Sequence, residues 1–186
     1  MLPHKLATLA YIVCGQDVLL LLRNKKVDDF HHNRFIGVGG RLEAGETPLE
    51  CVLREIEEET GYKLTPEDIR FRGYIYFDEI NRDKKIEDLP PFNWLVFLYS
   101  ARVKKKKIIE TREGELHWVP FENIPYNQMW EGDRIFTPKL LETDYILEAK
   151  FIYKDENIFT WSLGLQNEDS LERVIGMRNR SGNGPK

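Results

Sequence analysis

The sequence predicts an α+β fold built around a mixed β-sheet. Apolar runs of strand length alternate with polar turns along most of the 186 residues, and one segment has the pattern of a strong amphipathic helix. A second, weaker helical pattern follows late in the chain. Several strands with few helices and no internal repeat favour a single α+β domain. We place this domain at residues 1–165, followed by a polar tail at 166–186 that we expect to be disordered.

The first elements are predicted to be a β-hairpin, a polar loop and a short strand. Two apolar runs within residues 5–26 flank Gly15, Gln16 and Asp17, which suit a tight turn. The polar stretch that follows contains His31 and His32, and we expect both histidines to lie on the surface. A short strand then enters the glycine-rich segment at residues 34–40.

The strongest single prediction is a helix from about Pro48 to Thr60. Thr47 is a good N-cap residue, Pro48 suits the first helical position, and Glu50 completes a capping box. Gly61 stands just past the end, where a left-handed residue is often needed.

The remaining elements follow in order. Strands are predicted at residues 69–80, 92–103 and 115–121, with a polar loop at 81–91 between the first two. A short helix is predicted at 136–144 and a second hairpin at 146–163, with its turn at residues 154–157.

Composition restricts the classes of function. The net charge of -4 gives no broad basic surface for a nucleic-acid duplex, and the longest apolar run is too short to span a bilayer. We find no signal peptide. Cys14 and Cys51 have no metal-site spacing, which favours a reduced, cytoplasmic protein.

The predicted helix carries an acidic face that suits a hard divalent cation. Glu55, Glu58 and Glu59 are three or four residues apart and therefore lie on one side of the helix. Clustered carboxylates repel one another, and Mg²⁺ binds oxygen ligands while keeping sites for substrate phosphates. The alternative is an ordinary solvated acidic surface.

The segment from Gly40 to Tyr62 resembles the signature of the Nudix (MutT-like) hydrolases. That signature reads G-x5-E-x7-R-E-U-x-E-E-x-G-U, where U is a bulky apolar residue. Its fixed positions fall on Gly40, Glu46, Arg54, Glu55, Ile56, Glu58, Glu59, Gly61 and Tyr62. The resemblance implies an α/β/α sandwich around a mixed sheet, and hydrolysis of a nucleoside diphosphate linked to another group.

The resemblance also implies a metal site and catalytic roles. Mg²⁺ or Mn²⁺ would be bound by Glu55, Glu58 and Glu59 together with the backbone carbonyl of Gly39, while Arg54 would orient a glutamate. An acid in the loop before Trp118 often completes such sites. We favour Glu113 over Glu115 for this position, and the general base is Glu58, Glu59 or Glu113.

A further resemblance concerns the substrate. Residues 120–141 look like the C-terminal part of the Nudix triphosphatases that act on oxidised purine nucleotides such as 8-oxo-dGTP. It implies that Trp130 stacks on the base and Asp133 hydrogen-bonds it. Thr8 would lie near the base or sugar, and Arg23 stands where that group often carries a Lys near the substrate. The other expected substrate contacts or pocket walls are Ile36, Val38, Gly39, Gly40, Arg41, Phe77 and Phe92.

Two departures from that group leave other substrates open. Gly132 stands where a second acid is common, and Ile36 replaces a polar Asn that touches the modified base. A Nudix hydrolase of ADP-ribose, dinucleotide polyphosphates or unmodified nucleotides is the main alternative. A non-catalytic nucleotide sensor is the other, and we expect a monomer or homodimer in each case.

Overall fold

The computed structural model describes residues 5–79, 93–154 and 157–167, and the backbone of 171–177. The predicted polar loop at 81–91, Phe92, and residues 155–156 of the second predicted turn lie outside the described residues. The helices and strands are β1 Lys5–Cys14, β2 Asp17–Leu22, β3 Phe35–Ile36, α1 Pro48–Thr60, β4 Ile69–Glu79, β5 Trp94–Arg102, β6 Glu115–Pro120, α2 Glu131–Glu142, β7 Ile146–Lys154, β8 Asn157–Gln166 and β9 Leu171–Met177.

The described strands form one mixed sheet. Its order is β3-β2-β1-β5-β4-β7-β8-β9, with β6 also paired to β2. The pairs β1–β5 and β4–β7 are parallel, while the other strand pairs are antiparallel. Parallel neighbours need long crossover connections, and α1 and α2 each lie within one of these connections. The predicted mixed sheet is confirmed.

The two helices pack on opposite faces of the sheet. Val52 and Ile56 of α1 join an apolar cluster with Ile12 of β1. Phe136 of α2 joins a second cluster with Tyr11, the neighbour of Ile12 in the same strand. Successive strand residues point to opposite faces, so this pattern confirms the α/β/α sandwich.

Both ends of α1 agree with the prediction. The Thr47 hydroxyl accepts the Glu50 N–H at 3.3 Å, and the Glu50 carboxylate accepts the Thr47 N–H at 2.8 Å. Gly61 follows the helix with a left-handed φ of 67° and donates its N–H to the Glu57 carbonyl. Neither described helix could span a bilayer.

Two elements differ from the prediction. Helix α2 begins at Glu131 rather than at 136, because its N-cap, Trp130, offers no side-chain cap for a sequence pattern to detect. The sheet also continues past residue 165, since β9 pairs with β8 in the segment that we expected to be a tail. This strand is short and lies between polar stretches, so the composition of residues 166–186 as a whole did not reveal it.

Candidate active site

The carboxylate of Glu59 lies where α1 meets the glycine segment. Its Oε2 accepts the N–H of Gly39 at 3.0 Å, and the residue is 7% exposed. Gly39 has a φ of 154°, and a Cβ there would come within 2.2 Å of the Thr8 carbonyl oxygen. Only glycine therefore lets this backbone pass close to β1 and reach Glu59.

Glu59, Glu55 and Glu113 form a cluster of mutually repelling carboxylates. Burial, together with the charges of Glu113 and Glu55, raises the pKa of Glu59 to about 8. Burial also raises the pKa of Glu55, to which Glu58 and Glu113 contribute in the same direction. Mutual repulsion of this kind is removed when a cation lies among the carboxylates.

Arg54 binds the acids of α1 and of the preceding loop. Its Nε and Nη2 donate to the two carboxylate oxygens of Glu46 at 2.6 and 3.0 Å. Its Nη1 donates to Glu55 at 2.8 Å and to Glu58 at 3.4 Å. Hydrogen bonds from Arg54 lower the pKa of Glu46 to about 2. Arg54 thus contacts glutamates, as the resemblance implies.

Of the two loop acids, Glu113 lies beside the cluster. It forms ion pairs with Arg23 and, at 3.0 Å, with Lys26. The side chain of Glu115 is 57% exposed and accepts a hydrogen bond from Asn24 at 2.9 Å. The charge of Glu113 contributes to the raised pKa of Glu59, which supports the choice of Glu113.

The donor set suits a hard divalent cation. Glu59 is a buried carboxylate that accepts a backbone N–H. Within the described residues it forms no ion pair with a Lys, Arg or His side chain. Among those same residues, no group of three Asp, Glu, His or Cys side chains is arranged so that it could hold a metal ion. Arg54 and Arg23 occupy oxygens of Glu55, Glu58 and Glu113, so these side chains must exchange partners to bind a metal.

Three other predicted residues flank the cluster. A Cβ on Gly40 would come within 2.3 Å of a Glu55 carboxylate oxygen, so Gly40 is in direct contact with that acid. The Thr8 hydroxyl is buried against the Cys51 thiol at 3.5 Å. The Arg41 guanidinium lies 4.9 Å from the centroid of the Trp94 ring.

Three predicted substrate residues pack in the protein interior or against it. Val38 is fully buried and its backbone pairs with Ala10, so we now assign it a packing role instead of a substrate contact. Ile36 packs at the edge of the α1-side cluster. Phe77 stacks on Phe151 with ring centroids 5.6 Å apart.

Trp130 lies at the start of α2 and is 9% exposed. Phe30 stacks on its ring with centroids 4.8 Å apart, and the Arg34 guanidinium lies 4.0 Å from the ring centroid. Its indole N–H donates to Nδ1 of His31 at 2.9 Å. A base could reach the indole face only if Phe30 or Arg34 moved aside.

Asp133 lies on the sheet-facing side of α2 and is almost fully buried. It is 5% exposed, and burial raises the pKa of its carboxyl to about 7 despite the opposing charge of Arg34. Its charge in turn raises the pKa values of Tyr11 and Tyr153, which are raised first by their own burial. Asp133 is therefore a buried polar group close to two tyrosines.

The structure adds residues that sequence reasoning missed. His31 was expected on the surface but accepts a hydrogen bond from Trp130, and Phe30 stacks on the same ring. The Asp29 carboxylate accepts the His31 N–H, and the Asp29 side chain is 8% exposed. An aromatic residue within an otherwise polar loop was the only sequence signal for this arrangement.

Comparisons with known proteins identify the family. A family model described as NUDIX domain matches residues 3–140. An oxidized purine nucleoside triphosphate hydrolase from Danio rerio is 28% identical over 142 residues, or 76% of this chain and 83% of that protein. A crystal structure of a MutT protein from Bacillus halodurans has a TM-score of 0.72 and 25% identity, covering 86% of this chain and 97% of that one.

A third similar protein contains a metal. A bifunctional NMN adenylyltransferase/ADP ribose pyrophosphatase from Francisella tularensis, solved with AMP and a Mn ion, has a TM-score of 0.57 and 21% identity. The match covers 76% of this chain and 42% of that one and shows likeness of fold. Nudix enzymes generally use divalent metal ions. With the family match spanning most of its length, the chain belongs to the Nudix family and is a Nudix hydrolase.

Proposed function

We propose that this chain hydrolyses oxidised purine nucleoside triphosphates, such as 8-oxo-dGTP, to the monophosphate and pyrophosphate. The observation that carries the proposal is a chain of contacts that joins the carboxylate cluster to a buried aromatic and acidic region. Glu113 contacts Arg23, Arg23 contacts Asp29, the Asp29 carboxylate accepts the His31 N–H, and His31 contacts Trp130. Groups that suit phosphate chemistry and groups that suit a purine are thus linked in one structure.

On the phosphate side, Mg²⁺ or Mn²⁺ would be held by Glu55, Glu58, Glu59 and Glu113, together with the Gly39 carbonyl. When bound, the metal neutralises phosphate charge and lowers the pKa of the attacking water. Arg54 keeps Glu55 and Glu58 oriented through its guanidinium. One of Glu58, Glu59 and Glu113 takes the proton of the attacking water as general base.

On the base side, Asp133 supplies a buried carboxyl group and the Phe30–Trp130 pair supplies an aromatic surface. Phe30 is 54% exposed. Stacking on an aromatic side chain contributes about 1–3 kcal/mol per base. The relative from Danio rerio, named for oxidised purine nucleotides, supports this substrate class.

A second substrate class is favoured by two residues. Ile36 has no hydrogen-bonding side chain, and Gly132 provides no second acid beside Asp133. Both features reduce discrimination between an oxidised and an ordinary base. Unmodified nucleotides, dinucleotide polyphosphates or ADP-ribose are therefore the alternative substrates of the same carboxylate cluster.

A substrate panel tests the proposal. We would incubate the protein with 8-oxo-dGTP, dGTP, 2-hydroxy-dATP and ADP-ribose, with Mg²⁺, with Mn²⁺ and with chelator. Release of pyrophosphate and monophosphate, fastest from 8-oxo-dGTP and abolished by chelator, is the expected result. AMP from ADP-ribose as the main product would overturn the substrate class. Nucleotide binding without turnover would instead indicate a sensor.

We also propose a cytoplasmic location and a monomeric or homodimeric state.

A further inference from the structure

His31 makes a tertiary contact that its position in a polar loop does not suggest. Its Nδ1 accepts the indole N–H of Trp130 at 2.9 Å, and the Phe30 ring meets the imidazole edge-on at 5.2 Å. A nitrogen that accepts a hydrogen bond carries no proton, so the proton of the neutral ring is on Nε2. Burial lowers the pKa of His31 to about 4, which keeps the ring neutral near physiological pH.

The backbone of His31 makes the second connection. Its N–H donates to Oδ1 of Asp29 at 3.0 Å. The other oxygen of Asp29 accepts from Nε of Arg23 at 2.6 Å, and Arg23 also forms an ion pair with Glu113. The side chains of Arg23 and Asp29 are only 13% and 8% exposed, so solvent competes little for these bonds.

We propose that His31 is a positioning residue that fixes the position of Trp130, in the base region, relative to Glu113. Its ring fixes the indole of Trp130, and its backbone fixes Asp29 and thereby the Arg23–Glu113 pair. This inference rests on the proposed function, in which Trp130 lies at the base and Glu113 at the phosphates. His31 itself touches neither substrate nor metal.

The adjacent His32 is a matched control. Its Nδ1 contacts the Lys26 carbonyl at 2.9 Å and makes no contact with Trp130. Substitution of either histidine changes the same loop by the same chemistry. Only His31 is connected to the base region, so His32→Leu should behave like the wild type in every assay below.

The first experiment separates the acceptor from the shape of the side chain. We would prepare His31→Leu, which lacks the acceptor, and His31→Asn, whose Oδ1 can take the place of Nδ1. Binding of 8-oxo-dGMP and dCMP would be measured by calorimetry without metal. A buried donor left without a partner is costly, so His31→Leu should weaken 8-oxo-dGMP binding about 10-fold. His31→Asn should remain within about 3-fold of the wild type.

The second experiment asks whether the effect passes through the indole N–H. Trp130→Phe removes that donor and keeps an aromatic ring. Adding His31→Leu to Trp130→Phe should then change binding by less than about 2-fold, because the bond is already absent. Full additivity of the two substitutions would overturn the proposed connection.

The third experiment tests the connection towards Glu113 by separating kcat from KM. Asp29→Asn weakens the hold on Arg23 and should lower kcat by about 10-fold with a smaller change in KM. His31→Leu should act mainly on KM. Equal effects of both variants on kcat and KM would indicate a merely structural role and overturn the proposal.

Failure of the proposed function would look different. The wild type would then hydrolyse another nucleotide of the panel in preference to 8-oxo-dGTP, and the same variants would be measured on that nucleotide and its monophosphate. If His31→Leu matches the wild type there, or His31→Asn is equally impaired, the role of His31 is wrong whatever the substrate.

Discussion

The acidic side of the site and its aromatic side are built in different ways. On the acidic side, Arg54 contacts Glu46, Glu55 and Glu58, all within eight residues of it in the chain. On the aromatic side, Trp130 contacts His31 across 99 residues of sequence. The comparison shows that local helical spacing specifies the contacts of Arg54, whereas the folded sheet specifies the contact of Trp130 with His31 and that of Glu113 with Arg23.

The two sides also differ in charge. Carboxylates dominate the acidic side, where burial and mutual repulsion raise the pKa of Glu59 to about 8. On the aromatic side, a neutral His31 and the cation of Arg34 surround an indole ring. Substitutions on the two sides should therefore affect different quantities: rate and metal affinity on one, nucleotide affinity on the other.

The largest effect is expected from Glu59→Gln. The amide can still accept the Gly39 N–H, so the fold should be retained, but the negative charge is lost. We expect kcat to fall by roughly 10³-fold, within the range found for removal of acid–base groups. Pyrophosphate release and the melting temperature would be measured together. Glu57→Gln, an exposed position on the same helix, is the control. A rate within about 2-fold of wild type would show that Glu59 has no catalytic role.

Arg54→Lys should have the next largest effect. Lysine cannot reproduce the two-pronged contact with Glu46 while also reaching Glu55. We expect metal affinity and kcat/KM to fall by about 10- to 100-fold, as for other residues that support metal ligands. Arg70→Lys, at an exposed ion pair with Asp144, is the control. Unchanged affinity in a Mn²⁺ titration would contradict this role.

Trp130→Ala should act on the aromatic side alone. Loss of the ring removes the surface on which Phe30 stacks and the donor to His31. We expect nucleotide affinity to fall by about 5- to 150-fold, the equivalent of 1–3 kcal/mol. Mn²⁺ affinity, measured in the absence of nucleotide, should change by less than about 2-fold. Equal losses in nucleotide affinity and Mn²⁺ affinity would contradict the separate roles of the acidic and aromatic sides.

The last prediction concerns stability instead of activity, and it is a pH dependence at Asp133. Its pKa is 3.8 in the unfolded chain and about 7 in the fold, so the folded protein keeps this proton between those values. Its contribution to the free energy of unfolding is therefore largest below pH 4 and declines as the pH rises towards 7. Relative to Asp133→Asn, the wild type should lose up to about 1.4 kcal/mol per pH unit over this window. Parallel stability curves for the two proteins would show that Asp133 is not protonated in the fold.

The helical part of the acidic side could be predicted from sequence because its signals are local. Thr47, Pro48 and Gly61 set both ends of α1 at the residues observed. The spacing of Glu55 and Glu59 then placed the acids on one face without knowledge of the sheet. The choice of Glu113 over Glu115 depended on the resemblance alone, and the structure supports it through the contact with Arg23.

The aromatic side could not be predicted in the same way. Neither His31 nor Phe30 stands at a spacing that distinguishes a buried residue from a solvated one. Their contacts with Trp130 exist only because the loop after β2 folds against the start of α2. For the same reason, the resemblance implied that Trp130 stacks on the base, whereas in the structure Phe30 and Arg34 contact its ring.

The contacts of Arg54 have a consequence for biogenesis. A helix this rich in glutamate would be expected to fold poorly until an ion arrives from the medium. Arg54 already forms ion pairs with two of these acids, Glu55 and Glu58, and with Glu46 just before the helix. We therefore expect the newly made chain to reach its native state in metal-poor surroundings and to bind the ion afterwards. Preparations stripped by chelator should accordingly stay native, and activity should return on simple readdition of the ion.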